Sequence, residues 1–179
     1  MKSLWLFLLL ITVFSSCKKE NNNVQNFVEF DLDGVHYSYT PDTTILYRDT
    51  LITGLRKSML MSGYTDPANF WILGIIEDIS GTSSDCILTG AYPSQSYYPG
   101  CSDTIYNNCR FFTFKFSKAD TIWSNSRVVD SLTKFNLVSC GESPNTINGT
   151  FSGTVQTRDS SSVKQLTNGI IRGVTFTRQ

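Results

Sequence analysis

The sequence has little of what most catalytic and metal sites require. It contains a single histidine, His36, and its five cysteines include no Cys-x-x-Cys pair. Mechanisms that need two histidines are therefore excluded, and the cysteine spacing does not fit a zinc site. Only 17% of the 179 residues are charged, and 15 basic residues balance 15 acidic ones. Because a nucleic-acid-binding protein needs a basic excess to neutralise phosphates, that class is also disfavoured.

The acidic and basic residues form no recognisable reactive group in the sequence. Glu77 and Asp78 are adjacent. Neighbouring residues of a strand point to opposite faces, so these two do not form the facing carboxyl pair of a glycosidase. No nucleophile lies beside His36 in the sequence, and we expect Arg56 and Lys57 to lie in a solvated turn. The sequence thus predicts no catalytic residue, no metal and no cofactor, which is the pattern of a protein that is not an enzyme.

The N-terminus has the pattern of an export signal. Lys2 precedes an almost uninterrupted apolar run from Leu4 to Phe14. This run is shorter than the roughly 20 residues that a membrane-spanning helix needs. Small residues, Ser15 and Ser16, then precede Cys17. The arrangement resembles the lipobox of bacterial lipoproteins, in the looser form found in Bacteroidota, since Phe14 replaces the usual leucine.

The resemblance implies that residues 1–16 are a lipoprotein signal peptide and that Cys17 becomes the lipidated first residue. Two or three acyl chains give stable membrane anchoring. Residues 17–26 are polar after the cysteine and are predicted to be the lipid anchor and a flexible tether. We expect the protein in the cell envelope, anchored to the outer membrane and facing the periplasm or the surface. An ordinary signal peptide with an incidental Cys17 is the alternative.

From residue 27 to residue 179 the sequence predicts a single all-β domain. Val28, Phe30 and Leu32 alternate with polar residues, and a second alternating run follows Asp33-Gly34. An Asp-Gly pair suits a type I′ turn, so these runs predict a hairpin. Residues 69–77 are apolar on both parities, which is typical of a central strand covered on both sides.

Further alternating runs bring the count to about nine strands and no helix. Residues 147–155 and 170–176 are predicted to be the last pair of strands. Each strand has apolar residues on one parity: Ile147, Phe151 and Val155 in the first, and Ile170, Val174 and Phe176 in the second. We expect an antiparallel two-sheet β-sandwich, with an up-and-down β-barrel as the alternative.

A cysteine-rich loop is predicted at residues 80–110. Four cysteines remain after Cys17, and an even number in an exported protein favours two disulfides. Of the three connectivities, we favour Cys101–Cys109, which closes a small loop, with Cys86–Cys140 joining the loop to a later strand. Unpaired thiols and a metal site are the alternatives.

The same loop is rich in tyrosine. Stiff loops bearing tyrosines suit recognition, and aromatic faces stack on sugar rings. The candidate residues for ligand binding are Tyr92, Tyr97, Tyr98 and Trp123. The alternative is that these rings pack the loop onto the domain.

Short phrases in the body of the chain add a second resemblance. Gly90, Tyr92 and Pro93 form a Gly-x-Tyr-Pro motif. The closing strands contain the motifs Ile-Asn-Gly-Thr-Phe-Ser-Gly at residues 147–153 and Leu-Thr-Asn-Gly at residues 166–169. Together with the early hairpin they resemble small uncharacterised Bacteroidota lipoproteins with an all-β domain of unknown function. The resemblance implies a fold and a location, but no activity and no site.

Five Asp-Ser/Thr-x triplets resemble the sites at which Bacteroidota attach glycans to exported proteins. The hydroxyl residues concerned are Thr43, Thr50, Thr104, Thr121 and Ser131. Asp before a strand-starting threonine is also favourable turn chemistry, so the triplets have a second explanation.

We therefore expect a non-catalytic envelope lipoprotein that binds an envelope protein or belongs to an assembly. One alternative is a glycan-binding lipoprotein that uses the loop tyrosines. Another is a lipocalin-like carrier of a small apolar ligand, whose cavity would be lined by Phe112, Phe114 and Phe116. The expected partners are the membrane, through the lipid, and a protein or glycan, but no nucleic acid.

The lipidation hypothesis predicts the effect of Cys17→Ala. The mature domain is nearly neutral, so without acyl chains it has no electrostatic attraction to anionic lipid. We expect the wild type in the membrane fraction and the variant in the soluble fraction, or retained as an uncleaved precursor. Mass spectrometry of the N-terminal peptide checks the modification, and a wild-type Cys17 without acyl chains would contradict it.

Overall fold

The computed structural model describes residues 26–51, 54–79, 86–94, 109–141 and 144–179. The predicted signal peptide and most of the tether lie outside these residues. Twelve strands occupy the described ranges: β1 (Phe27–Leu32), β2 (Val35–Tyr39), β3 (Thr43–Leu51), β4 (Gly54–Asp66), β5 (Asn69–Ile79), β6 (Gly90–Pro93), β7 (Cys109–Lys118), β8 (Thr121–Ser124), β9 (Lys134–Cys140), β10 (Thr146–Gln156), β11 (Val163–Thr175) and β12 (Thr177–Arg178).

The strands form one strongly curled open sheet, a half-barrel, and not the predicted two-sheet sandwich. Ten strands follow in the order β12-β3-β4-β5-β7-β8-β10-β11-β1-β2, and β9 and β6 branch from β10. All pairings are antiparallel except that of β12 with β3 and a single bridge, Ser94 to Phe112. The all-β, mostly antiparallel prediction is confirmed, whereas the sandwich is wrong because one sheet curls enough to enclose its own core.

Irregularities in β11 account for much of this curl. Asn168 and Gly173 have positive φ values of 53° and 58°. The pairing register of β11 against β10 shifts near both positions, and its register against β1 shifts near Asn168. A β-bulge bends the strand and increases its twist. The bulge at Asn168 also reverses the side-chain alternation of β11, so that Ile171 is buried in place of the predicted Ile170. The bulge at Gly173 reverses the alternation again, so that Val174 lies in the core as predicted.

The first hairpin and the central strand are as predicted. Asp33 and Gly34 have φ values of 51° and 78°, as a type I′ turn requires. β5 lies between β4 and β7, and it buries Trp71, Leu73 and Ile75 in the main core. On its other face Ile76 packs against a second cluster that contains Phe111. The apolar residues on both parities of β5 are thus explained by two separate clusters.

Aromatic rings fill the inside of the curl. Phe30 of β1 contacts Phe114 and Phe116 of β7 edge to face, with ring centroids 5.1 and 5.6 Å apart. Tyr37 of β2 lies 4.8 Å from Phe116, and Tyr39 lies 5.9 Å from Trp71. Strands at the end of the sheet therefore fold over strands near its middle, and the contacts between them hold the curl closed.

The sheet forks between β7 and β10. At one end β8 lies between them, and at the other end β9 and β6 do. Asn125 is fully buried and continues the hydrogen-bond ladder of β7 where β8 ends. The backbone N–H of Asn125 donates to the Phe114 carbonyl at 3.1 Å, and its side-chain Oδ1 accepts from the Phe114 N–H at 2.7 Å. The backbone N–H and the side-chain oxygen of Asn125 thus satisfy the Phe114 carbonyl and N–H at the point where β8 ends.

The β7–β8 turn gives a stability prediction. Ala119 and Asp120 have φ values of 48° and 63°, a strained conformation for residues with a Cβ. We expect Ala119→Gly to raise the free energy of unfolding by about 0.5–1 kcal/mol. Ala91→Gly, at an exposed strand position with no such strain, should lower it by a similar amount. Urea unfolding measures both, and a loss of stability in both variants would contradict the prediction.

Candidate functional site

Three charged residues lie side by side on the inner face of the sheet. Lys57 of β4 is paired in register with Glu77 of β5, which is paired with Arg110 of β7. The Lys57 and Glu77 side chains are each 1% exposed, and Arg110 is 28% exposed. The Glu77 carboxylate lies 3.5 Å from the Lys57 ammonium and 3.7 Å from Arg110 Nε. A buried anion is thus placed between two cations.

The segment before β6 covers this charged row. Lys57 Nζ donates to the Cys86 carbonyl at 2.9 Å. Glu77 Oε2 accepts from the Leu88 N–H at 3.0 Å and from the Tyr92 hydroxyl at 2.7 Å. Burial of Tyr92 raises the pKa of its hydroxyl far above the ordinary value, so that it stays a hydrogen-bond donor.

Arg110 holds the same segment from the other side. Its Nη2 donates to the carbonyls of Leu88 and Thr89 at 3.0 and 3.2 Å. Its guanidinium also lies over the Tyr92 ring, 4.4 Å from the centroid. Tyr92 was one candidate for ligand binding, with packing onto the domain as the alternative. The ring is fully buried, because its hydroxyl and its face both have partners inside the domain, so the alternative applies to Tyr92.

A disulfide joins this segment to β9. Cys86 and Cys140 are bonded with their Cα atoms 6.0 Å apart, which confirms the predicted pairing. Cys109 is also disulfide-bonded. Its predicted partner, Cys101, lies outside the described residues, so the Cys101–Cys109 pairing stays a prediction.

The other aromatic candidates differ in their surroundings. Tyr97 and Tyr98 lie outside the described residues. Trp123 of β8 is half-buried: its ring stacks on Phe116 at 6.3 Å and its Nε1 donates to Ser162 Oγ at 3.1 Å. Phe112, Phe114 and Phe116 are at most 2% exposed and contact other rings, so side chains fill the interior at these described positions.

An open cleft lies on the outer face of the sheet, at the fork. β8 pairs with β7 along all four of its residues, but within the described chain it meets β10 at one pair only, Ser124 with Gln156. The strands diverge on either side of this pair. The inner part of the resulting cleft has a volume of about 280 Å³ and is lined by Lys115, Ile122, Ser124, Ser126, Arg127, Gln156, Thr157 and Arg158.

The outer part of the cleft is wider and more open to solvent. It has a volume of about 640 Å³ and shares Ile122, Arg127, Thr157 and Arg158 with the inner part. Its further lining residues are Asp120, Thr121, Asp159 and Ser161. Asp159 accepts hydrogen bonds from the hydroxyls of Thr157 and Ser161 at 2.7 and 2.8 Å, and these bonds lower its pKa to about 2.

The predicted glycosylation positions lie at turns and strand starts where they are described. Thr43, Thr121 and Ser131 are exposed. Thr50 lies within β3, and Thr104 lies outside the described residues. The Asp130 carboxylate accepts from the Leu132 N–H at 2.8 Å, so this triplet does form the turn that supplied the second explanation. Modification of any of these hydroxyls stays a prediction.

Sequence reasoning missed the charged row and the cleft. Lys57 was expected in a solvated turn, and it is instead fully buried in β4. One signal was available: Lys57 shares its parity with Met59 and Met61, and Glu77 shares its parity with Trp71, Leu73 and Ile75. Charged residues on the inward parity of two neighbouring strands indicate a buried pair.

Comparison with known proteins finds no matching family model, no matching curated protein and no matching solved structure. The resemblance to Bacteroidota lipoproteins therefore stays a prediction. Among the residues that the structure describes, no helix is long and apolar enough to cross a membrane.

The buried row predicts a non-additive pair of substitutions. Glu77→Gln keeps a hydrogen-bond acceptor for Leu88 and Tyr92 but leaves Lys57 buried without its counter-charge. We expect a loss of about 3 kcal/mol or more in the free energy of unfolding. Lys57→Met combined with Glu77→Gln should be more stable than Glu77→Gln alone, because no buried cation then remains uncompensated.

Denaturant unfolding with the disulfides intact measures these free energies, and Thr113→Val, on the outer side of β7, is a control for loss of a polar group. A loss below 1 kcal/mol for Glu77→Gln, or a double variant no more stable than the single one, would contradict charge compensation.

Proposed function

We propose that the protein is a lipid-anchored, non-catalytic binding module of the cell envelope, and that the cleft at the β8–β10 fork is its ligand surface. The cleft is the observation on which the proposal rests. It is concave, open to solvent and formed where β8 and β10 diverge on either side of a single residue pair. Recognition is a reason for a sheet to keep such an opening.

The state of the buried charges supports a role without catalysis. Lys57, Glu77, Tyr92 and Arg110 are bonded to one another or to backbone carbonyls and amides. A reactive site instead needs a group directed at a space that a substrate can enter. The described cluster has the form of a structural network that fixes the segment between Cys86 and Pro93.

The carrier and loop-tyrosine alternatives have less support. The three phenylalanines suggested for a carrier cavity contact other rings, and Tyr92 is buried. We propose that the ligand is a glycan or a protein of the envelope, bound at the outer face of the sheet. Glycans on Thr43 and Ser131 are compatible with this proposal. A glycan on Thr121 would lie at the outer part of the cleft.

Site-specific photo-cross-linking in the native envelope tests the proposal. A benzophenone amino acid at Ile122, which is 44% exposed in the cleft, should give a covalent adduct with the ligand. The same amino acid at Val138, 58% exposed on β9, is the matched control. Adducts at Ile122 that are absent at Val138 are the expected result. No adduct at Ile122, or the same adducts at both positions, would contradict the proposal.

A further inference from the structure

The inner cleft concentrates positive charge in a domain that has almost none overall. Lys115, Arg127 and Arg158 all line the cavity of about 280 Å³, and no carboxylate is among the eight residues of its lining. The chain as a whole has a formal net charge of zero. Three cations around one small cavity therefore create a strongly positive local potential.

These cations are not used in ion pairs within the described chain. The ion pairs seen among the described residues include those of Lys57, Arg110 and Lys164, and none of the three cleft cations takes part in them. Arg127 makes one hydrogen bond, from Nη1 to the Arg158 carbonyl at 3.1 Å. This bond orients the guanidinium at the cleft and leaves its other N–H groups to bind a ligand, since a guanidinium has five donors.

The outer cleft is balanced in charge, because Arg127 and Arg158 line it together with two carboxylates. One of these is Asp159, which accepts hydrogen bonds from the Thr157 and Ser161 hydroxyls. Asp120 lines the same part. A second anionic group of a ligand would gain no net attraction there, whereas hydroxyl groups can bond to Thr121, Ser161 and the carboxylates. The cleft thus favours one anionic group inside and a neutral, hydroxyl-rich part outside.

We propose that the cleft binds an acidic saccharide whose single carboxylate or sulfate lies in the inner part, between Lys115, Arg127 and Arg158. The inference rests on the proposed function and adds the chemical class of its ligand. Arginine binds planar and tetrahedral oxyanions with two parallel hydrogen bonds. The inner part has a volume of about 280 Å³, and Gln156 supplies an amide group beside the three cations.

Calorimetric titration of the full-length protein in detergent tests this ligand class. The probes are a trisaccharide that ends in glucuronate, the neutral trisaccharide that ends in glucose, and a trisaccharide that ends in a sulfated glucose. We expect an acidic probe to bind at least tenfold more tightly than the neutral one and to weaken as salt increases. The tighter of the two acidic probes identifies the anion as carboxylate or sulfate.

Arg127→Gln and Arg158→Gln should each weaken binding of that probe at least tenfold, whereas Arg172→Gln, an exposed arginine of β11, should change it less than twofold. Unchanged thermal unfolding shows that the variants are folded. Equal binding of neutral and acidic probes, no binding of any probe, or insensitivity to both cleft variants would overturn the inference. If the Ile122 cross-link nevertheless forms in Arg127→Gln, the proposed function stands and only the acidic ligand class fails.

Discussion

The carboxylate of Glu77 is the buried charge around which one end of the domain is organised. Its position on the inner face of β5 would be very costly without compensation, and four groups supply that compensation: Lys57, Arg110, the Leu88 amide and the Tyr92 hydroxyl. The Leu88 amide and the Tyr92 hydroxyl belong to the segment between Cys86 and Pro93, which covers the three charged residues. The buried charge therefore requires this segment to lie against β5, and the Cys86–Cys140 disulfide restrains it there. Such a network adds less to stability than to the uniqueness of the arrangement, since an apolar interior would not select one position of the segment.

The curl of the sheet has a different origin, in local backbone geometry. The two bulges of β11 bend the sheet so that rings from β1 and β2 meet rings from β5 and β7. Gly149 contributes a close approach, because a Cβ there would lie within 3 Å of the Phe135 ring. Bending one sheet this far leaves a gap between β7 and β10 that no single strand fills. β8 occupies one end and β9 with β6 the other, so the cleft at the fork is a geometric result of the curl.

Local patterns in the sequence predict the elements, and non-local pairing decides how they assemble. The Asp33-Gly34 hairpin and the central β5 follow from alternation and turn chemistry within about ten residues. The sandwich prediction failed because alternation contains no signal for curvature, and the bulge near Asn168 even reverses which isoleucine is buried.

Lys57 was assigned to solvent because its partner Glu77 lies on the next strand. Tyr92 was assigned to a recognition loop because its two partners, Glu77 and Arg110, are far from it in sequence. The Cys86–Cys140 prediction succeeded because the number of cysteines leaves few pairings.

An open sheet exposes two edges that are liable to pair with other chains, and β2 is one of them in the described chain. This edge is short, and its tyrosines are directed inward, where Tyr37 and Tyr39 contact Phe30. Lys118 lies 3.3 Å from the Tyr37 hydroxyl and places a charge beside the edge. Inside the domain, by contrast, Lys57 and Arg110 both form ion pairs with Glu77. The cations of the cleft differ from those of the buried row, because they lie where β8 and β10 diverge and form none of the described ion pairs. Exposed cations that converge on one opening, without a described counter-charge, are consistent with the proposed ligand, whose anionic group would supply that charge.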